Sequence, residues 1–454
     1  MRLGAGPVRV EPLFMSDSIF APGFIERPFW WEAAAPVRRA GGVPGRADAV
    51  IIGGGIAGLS TALELTRGGA KPVVLDREPI GWGASSRNGG ALSGAGALGR
   101  SKGNLQTSVD PEILAAMVLE AEQSFEAFEQ LIEAEGLDCD YRRTGRFVGA
   151  HAAKAMDALQ ARAEMLNRTG VDEGRIVARK DVGQELATER YFGGLVIRRA
   201  GAVHPGKYVQ ELARVAEAAG ASLHGGVTVE GYAREGDGFR VRTSAGEIQA
   251  DALMVATNGY TGPVTPWQRR RVIPVASFMI ATEVLGAERV ARLLPKLRVY
   301  GDTKKILYYF RPSPDGERIL FGGRASFVDG DVRRAGARLL RFLVDLIPEL
   351  AGTRITHAWK GNVAFAFDML PHVGAHEGVH YALACNGSGV VTMTHLGRQA
   401  ARQMLGRANQ ASAFSLLPFP TMPGYSGNPW FMPIVGSWYR LKDRFDGWRE
   451  PGWP

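Results

Sequence analysis

Regular patterning along this chain begins at Asp48. Ala49-Val50-Ile51-Ile52 is a short unbroken apolar run, as a strand covered on both faces requires. Glycines follow, and from 57 to 67 the apolar positions change to helical spacing, with Leu59, Ala62 and Leu63 on one side. Residues 72–76 repeat the apolar run and predict a second buried strand. Helical spacing returns over 111–136, where Ile113, Met117, Ala121, Phe125, Phe128 and Ile132 recur at steps of three and four. It appears again over 152–167. Residues 205–219 predict a third helix of this kind, opened by a first-turn proline and closed by Gly220.

Short strands with turn signals then take over from 222 to 256, punctuated by Gly236-Asp237-Gly238 and Ala245-Gly246. A hairpin is predicted where 306–310 and 319–321 flank Ser313-Pro314-Asp315-Gly316. Helices are expected at 337–347 and 395–405. No internal repeat interrupts this order.

A parallel sheet therefore begins the fold, and antiparallel strands break into it. The fold class expected is α/β with α+β character: a Rossmann-like nucleotide-binding domain and an antiparallel-sheet substrate domain, each discontinuous in sequence. The division expected is an extended arm at 1–46, nucleotide-domain segments at 47–110, 201–262 and 356–408, substrate-domain segments at 111–200 and 263–355, and a wrapping tail at 409–454.

Composition excludes more than it assigns. The 454 residues are 45% hydrophobic and 22% charged, which is enough for two domains with a sizeable core. A formal charge of +8 is spread thinly, and the tightest run, Arg269-Arg270-Arg271, is too short for a nucleic-acid tail. Two cysteines, Cys139 and Cys385, make neither a disulfide framework nor a metal cluster, which fits a reducing cytoplasm. No apolar run is long enough to span a bilayer. Residues 1–14 lack a signal-peptide core, and Met15 is an alternative start.

The chemistry starts at Gly53-Gly54-Gly55-Ile56-Ala57-Gly58, which has the G-x-G-x-x-G spacing between a strand and a helix. Gly53 permits the turn, Gly55 admits backbone to a pyrophosphate, and Gly58 lets the helix pack on the strand. The helix start offers free N–H groups and partial positive charge to phosphates. Asp76, followed by Arg77, ends the next strand about twenty residues on, where a carboxylate binds ribose hydroxyls. A second small-residue loop, Gly81-Trp82-Gly83-Ala84-Ser85-Ser86-Arg87-Asn88-Gly89-Gly90, follows closely and favours the large, extended FAD over a nicotinamide cofactor.

With these elements, the chain resembles the D-amino-acid-oxidase/glycine-oxidase superfamily of FAD enzymes, nearest the gamma-glutamylputrescine oxidoreductase-like branch. Further stretches carry the likeness: 139–145, 201–208, Val255-Ala256-Thr257-Asn258-Gly259-Tyr260-Thr261, 320–324 and 382–389. The resemblance implies FAD-dependent oxidation of an amine or amino acid, including secondary or γ-glutamylated amines, with O2 or another acceptor. It places Gly387-Ser388-Gly389-Val390 at the flavin and Val227 on the adenine side. The cysteine that some relatives use to attach FAD would fall within 359–368, where none occurs, so FAD is expected to be non-covalent. An oxygen-activating lysine of other relatives would fall near Leu320.

On the substrate side the candidates are Tyr308, Arg324 and Lys360. Lys360 is considered as a replacement for the missing lysine, or else as an ion-paired residue. Arg324 suits a carboxylate or an inter-strand salt bridge, and alternation lets only one of Tyr308 and Tyr309 face the site. His204 before Pro205 reads as a helix cap. Competing functions are an FAD-dependent 2-hydroxy-acid dehydrogenase passing electrons to a quinone or carrier, a non-catalytic flavoprotein scaffold, and an RNA-modifying flavoenzyme. The last would want a further domain and a basic face that are not evident.

Overall fold

The computed structural model describes residues 19–39, 41–94, 109–168, 174–324, 330–407 and 411–448. The candidate leader 1–14 and the alternative start Met15 lie outside them. Two large sheets organise these residues. In the first, β2 (Arg46–Ile52), β3 (Pro72–Asp76), β9 (Ser222–Gly225), β12 (Gly246–Val255) and β19 (Val379–Leu383) run parallel in the order β9-β3-β2-β12-β19. An antiparallel pair, β10 (Val229–Glu235) and β11 (Gly238–Thr243), extends from the first half of β12. β18 (His372–His376) pairs antiparallel with β19.

The second sheet has nine strands, ordered β1-β17-β13-β16-β15-β14-β5-β7-β6. They are β1 (Phe20–Ile25), β5 (Arg146–Gly149), β6 (Gly174–Ala178), β7 (Gly193–Ile197), β13 (Ile273–Thr282), β14 (Val299–Asp302), β15 (Tyr308–Pro312), β16 (Ile319–Gly323) and β17 (Ile355–Phe365). A ribbon of β4 (Ala91–Ser93) and β8 (Ala200–Ala202) lies outside both sheets. The helices are α1 (Ile56–Arg67), α2 (Pro111–Ala134), α3 (Ala155–Arg168), α4 (Pro205–Ala218), the short α5 (Pro266–Arg269) and α6 (Ala287–Leu293), α7 (Val332–Leu346), α8 (Gly389–Met404) and α9 (Met432–Trp448).

The apolar runs read from sequence are buried as their pattern demands. Val50 and Val73 face one side of the parallel sheet, where they pack with Leu253 and Phe419. Ile51 and Val74 face the other, against Leu59, Leu212 and Leu396 of α1, α4 and α8. In the antiparallel sheet, Phe278, Phe310 and Phe321 pack on Leu339 and Leu343 of α7. The opposite face presents Met279, Leu320 and Trp359 to Trp30 of the N-terminal arm.

Several boundaries differ from the sequence expectation, among them that of α8, which starts at 389 and not at 395. Helix α7 starts at 332, five residues early, because the Asp331 carboxylate caps it by accepting from the Arg334 N–H at 2.7 Å. Strand β17, placed with the nucleotide segment from 356, pairs along its length with β13 in the antiparallel sheet. Pairing depends on a partner 73 to 92 residues away, which no local pattern reveals. The arm also contributes more than an extended segment, since β1 forms the edge strand beside β17. In the tail, α9 adds a helix that was not expected.

His204 caps α4, its Nδ1 accepting the Lys207 N–H at 3.1 Å, with its ring 4.9 Å from that of Trp30. Burial holds its pKa down, at about 4 against an ordinary 6.5. Between those values the unfolded chain binds a proton that the native state refuses, so stability falls as pH drops from 6.5 towards 4. The contribution is on the order of 3 kcal/mol. His204→Asn keeps a capping oxygen but cannot titrate. Urea midpoints at pH 7 and 4.5 should therefore separate less in the variant than in the wild type.

Candidate functional site

The end of β2 runs almost into β12. Gly53 has φ +116°, and a Cβ there would sit 2.8 Å from the Ala256 carbonyl oxygen, so the turn requires glycine. A Cβ on Gly58 would overlap the Gly53 carbonyl oxygen, and its absence lets the first turn of α1 rest directly on the strand. Ile56 and Ala57, in the first turn of α1, therefore open into a cleft of about 1640 Å³ between the two sheets. Helix starts of this kind carry unsatisfied N–H groups and partial positive charge, which suits a diphosphate.

Asp76 closes the cradle. Its Oδ2 accepts the Gly54 N–H at 2.9 Å and its Oδ1 the Glu78 N–H at 3.0 Å. Burial raises its pKa, and those two N–H groups oppose the shift. Each oxygen keeps a further lone pair for a ribose hydroxyl. The second loop packs over the same helix start, where Ser85 Oγ accepts the Ile56 N–H at 3.0 Å.

Aromatic donors hold that second loop in place. Trp30 Nε1 donates to the Asn88 carbonyl at 2.8 Å, Trp31 Nε1 to Ser86 Oγ at 2.9 Å, and Trp359 Nε1 to the Arg87 carbonyl at 2.8 Å. The Arg87 guanidinium lies 4.5 Å from the Trp31 ring centroid and 4.1 Å from that of Trp82. It also donates to the carbonyls of Trp82 and Lys360.

The remaining nucleotide-side residues converge from distant segments. Asn258, in the left-handed region at φ 44°, accepts the Ala384 N–H at 3.0 Å and so ties the end of β12 to the loop before α8. Asn386 Oδ1 accepts the Ala366 N–H at 3.2 Å on the other side of that loop. Of the residues expected at the cofactor, Gly53, Gly55, Ile56, Ala57, Asp76, Arg77, Gly83, Ala84, Ser85, Arg87, Asn88 and Gly89 line the cleft. Val227, Thr257, Asn258, Gly387, Ser388, Gly389 and Val390 line it as well.

Gly58, Ser86, Gly90 and Gly259 do not line the cleft; they support it. Buried Ser86 donates to the Gly81 carbonyl, and a Cβ on Gly259 would meet the Asn362 carbonyl at 2.7 Å. Gly90 is held at φ +69° against the Val203 carbonyl.

The substrate-side expectations need correction at two of three positions. Tyr308 turns away from the cleft and stacks on Phe342 of α7, centroids 5.2 Å apart. Its neighbour Tyr309 takes the cleft face and shares a 2.9 Å hydrogen bond with Ser277 Oγ. Lys360 pairs with Phe278 and shares a face with Ala358, both in the α7-side core, so its side chain leaves on the far side of the sheet. Face parity is set by register, and sequence alone does not fix it. Arg324 does line the cleft, with its guanidinium 4.7 Å from the Phe365 ring centroid. Leu320 is fully buried against Trp30, Met279 and Trp359.

Sequence reasoning left the choice between Tyr308 and Tyr309 open, and it missed Ser277, Tyr260 and Asn362 as cleft residues. Tyr260 had a signal, since it follows Asn258 in the stretch singled out by resemblance. Its hydroxyl accepts the Asn362 N–H at 3.1 Å.

Comparison with known proteins agrees with this construction. The model of a family described as FAD dependent oxidoreductase matches residues 48–403. A probable oxidoreductase OrdL of Rhizobium meliloti (strain 1021) is 30% identical over 436 residues, covering 94% of this chain and 99% of that protein. Gamma-glutamylputrescine oxidoreductase of Escherichia coli (strain K12) is 31% identical over 410 residues, covering 87% and 93%. Among solved structures, glycine oxidase from Geobacillus kaustophilus superposes with a TM-score of 0.69 at 22% identity, over 84% of this chain and 99% of that one. At that identity the likeness speaks for the fold.

The cradle makes a direct prediction. Asp76→Ala removes the acceptor of two turn amides and the candidate ribose contact, and should weaken FAD binding roughly 10- to 100-fold. Titrating apoprotein with FAD, read by quenching of flavin fluorescence, checks it. Unchanged affinity would remove Asp76 from the cofactor site.

Proposed function

This chain belongs to the FAD-dependent oxidoreductase family, with FAD as its cofactor, and we propose that it oxidises the carbon–nitrogen bond of an amine or amino acid. One observation carries the reading: Tyr309, Ser277 and Arg324 line the same continuous cleft as the glycine cradle and the Gly387–Val390 loop. We assign the parallel sheet to cofactor binding and the antiparallel sheet to the substrate. The names of two relatives, gamma-glutamylputrescine oxidoreductase and glycine oxidase, support nitrogen-bearing substrates.

FAD supplies a two-electron acceptor, so that the carbon bearing nitrogen loses a hydride, the nitrogen loses a proton, and water converts the imine to a carbonyl compound and ammonia or a free amine. The protein's own groups prepare this step. Burial raises the Tyr309 pKa, so its hydroxyl stays protonated and has one hydrogen to donate, shared with or aimed past Ser277. Burial lowers the pKa of Arg324 without discharging it at neutral pH. A fixed cation there disfavours a bound ammonium and so favours the neutral amine that hydride loss requires. The same guanidinium suits a carboxylate on the oxidised carbon. The start of α8 at Gly389 brings backbone N–H groups and a positive dipole end to the cleft, which would stabilise negative charge on a reduced flavin held there. Electrons leave to O2 or another acceptor.

Anaerobic mixing with panels of amines, amino acids and 2-hydroxy acids tests the reading through bleaching of the oxidised flavin. Amines or amino acids should bleach it and release a carbonyl compound, while hydroxy acids should not. Bleaching by hydroxy acids alone would overturn the assignment. Arg324→Met should weaken reduction by amino acids roughly 10- to 100-fold and that by simple amines less, with the amine reaction moved to higher pH.

A further inference from the structure

The cleft does not stop at Tyr309. It runs on along the antiparallel sheet to Arg146 of β5 and Arg162 of α3. Arg146 is buried, and its Nε makes no hydrogen bond. Nε and one Nη of Arg162 are likewise buried without a partner. Buried guanidinium groups are ordinarily paired, because an unpaired desolvated charge is costly.

Here two lie close enough to repel. Burial and, for Arg162, the neighbouring Arg146 charge bring both pKa values down to about 10. Four carboxylates line the described cleft, Asp76, Glu78, Asp302 and Asp368. Only Asp302 acts on either charge, and it acts on Arg146. Its Oδ1 also accepts the N–H groups of Lys304 and Tyr308, both at 3.2 Å. The two guanidinium groups are left short of negative charge, which an anionic ligand would supply.

We propose that Arg146 and Arg162 form a distal carboxylate subsite, and that the physiological substrate is an amine bearing a carboxylate remote from the carbon oxidised. A carboxylate supplies the missing charge and matches the paired N–H groups of a guanidinium. The separation follows from the sheet. Tyr309 pairs with Gly301 of β14, and Gly301 pairs with Val148 of β5, two residues from Arg146 on the same face. Two strand spacings and the two-residue offset put the Arg146 Cα roughly 12 Å from that of Tyr309. The Arg146 side chain lies over Gly301, with Nη2 2.9 Å from where a Cβ would stand, and so reaches back towards Tyr309. An unbranched chain of about eight carbons spans that gap. The location of the amine end rests on the function proposed above, whereas the anion site does not.

The test uses the FAD-loaded protein and two non-oxidisable probes, octanoate and octanamide, titrated by calorimetry. Octanoate should bind roughly 10- to 100-fold more tightly than octanamide. Arg162→Gln should abolish that preference, Arg162→Lys should restore part of it, and Arg324→Met should leave it in place. Flavin content and thermal melting of each variant serve as folding controls. Equal binding of the two probes, no octanoate binding, or a preference that follows Arg324 instead of Arg162 overturns the subsite.

Anaerobic reduction by 8-aminooctanoate and by octylamine forms a separate arm. A lower KM for 8-aminooctanoate, lost in Arg162→Gln with little change in kcat, supports the whole proposal. Equal KM values overturn the remote-carboxylate substrate. Arg162-dependent octanoate binding without flavin bleaching by any amine would sink the oxidation reading and leave the subsite standing.

Discussion

Backbone lying directly on backbone, where β2 turns into α1, is the constraint on which the rest depends. Gly53 faces the Ala256 carbonyl and Gly58 faces Gly53, with no side chain between. This closeness fixes the spacing of β2, β12 and α1 and aims the helix start into the cleft. The arrangement gains a dipole end and open N–H groups at a point where water would otherwise compete for them. Asp76 and Ser85 then stabilise the turn and the helix start from opposite sides.

The antiparallel sheet solves a different problem. One face must bury a helix and the other must stay open to small molecules. Alternation along β15 and β17 does both, sending Tyr308 and Lys360 to one side and Tyr309, Trp359 and Gly361 to the other. The nine strands also make the cleft long, so that groups five strands apart in the sheet order, on β17 and β5, border one space. Specificity can thus be set far from the reacting bond.

What was legible in the sequence was local. The glycine fingerprint, the strand before it and the carboxylate after it span under thirty residues, and each is dictated by nearest-neighbour geometry. The helices of 111–134 and 205–218 were equally plain, the first from its apolar spacing and the second from His204 and Pro205 at its start. Residues whose role depends on register were not legible. Tyr308 and Lys360 have the right chemistry on the wrong face, and parity inverts with a one-residue slip. Arg146 and Arg162 looked like two scattered arginines among many. Only the pairing of β5 with β14 and the packing of α3 bring them together, and neither leaves a mark in the chain's periodicity.

The three indole donors on the second loop have a consequence for handling the protein. Trp30 and Trp31 belong to the short turn Phe29–Glu32, and their partners are the loop that borders the cofactor cleft. Order in the arm and occupancy of the cleft are therefore thermodynamically linked, and each must favour the other by the same amount. Stripping the flavin should then loosen an arm that is nearly 60 residues away in the chain. A protease that nicks the arm in turn captures the empty form and draws the population towards it, so that a digestion pattern becomes a gauge of cofactor loading.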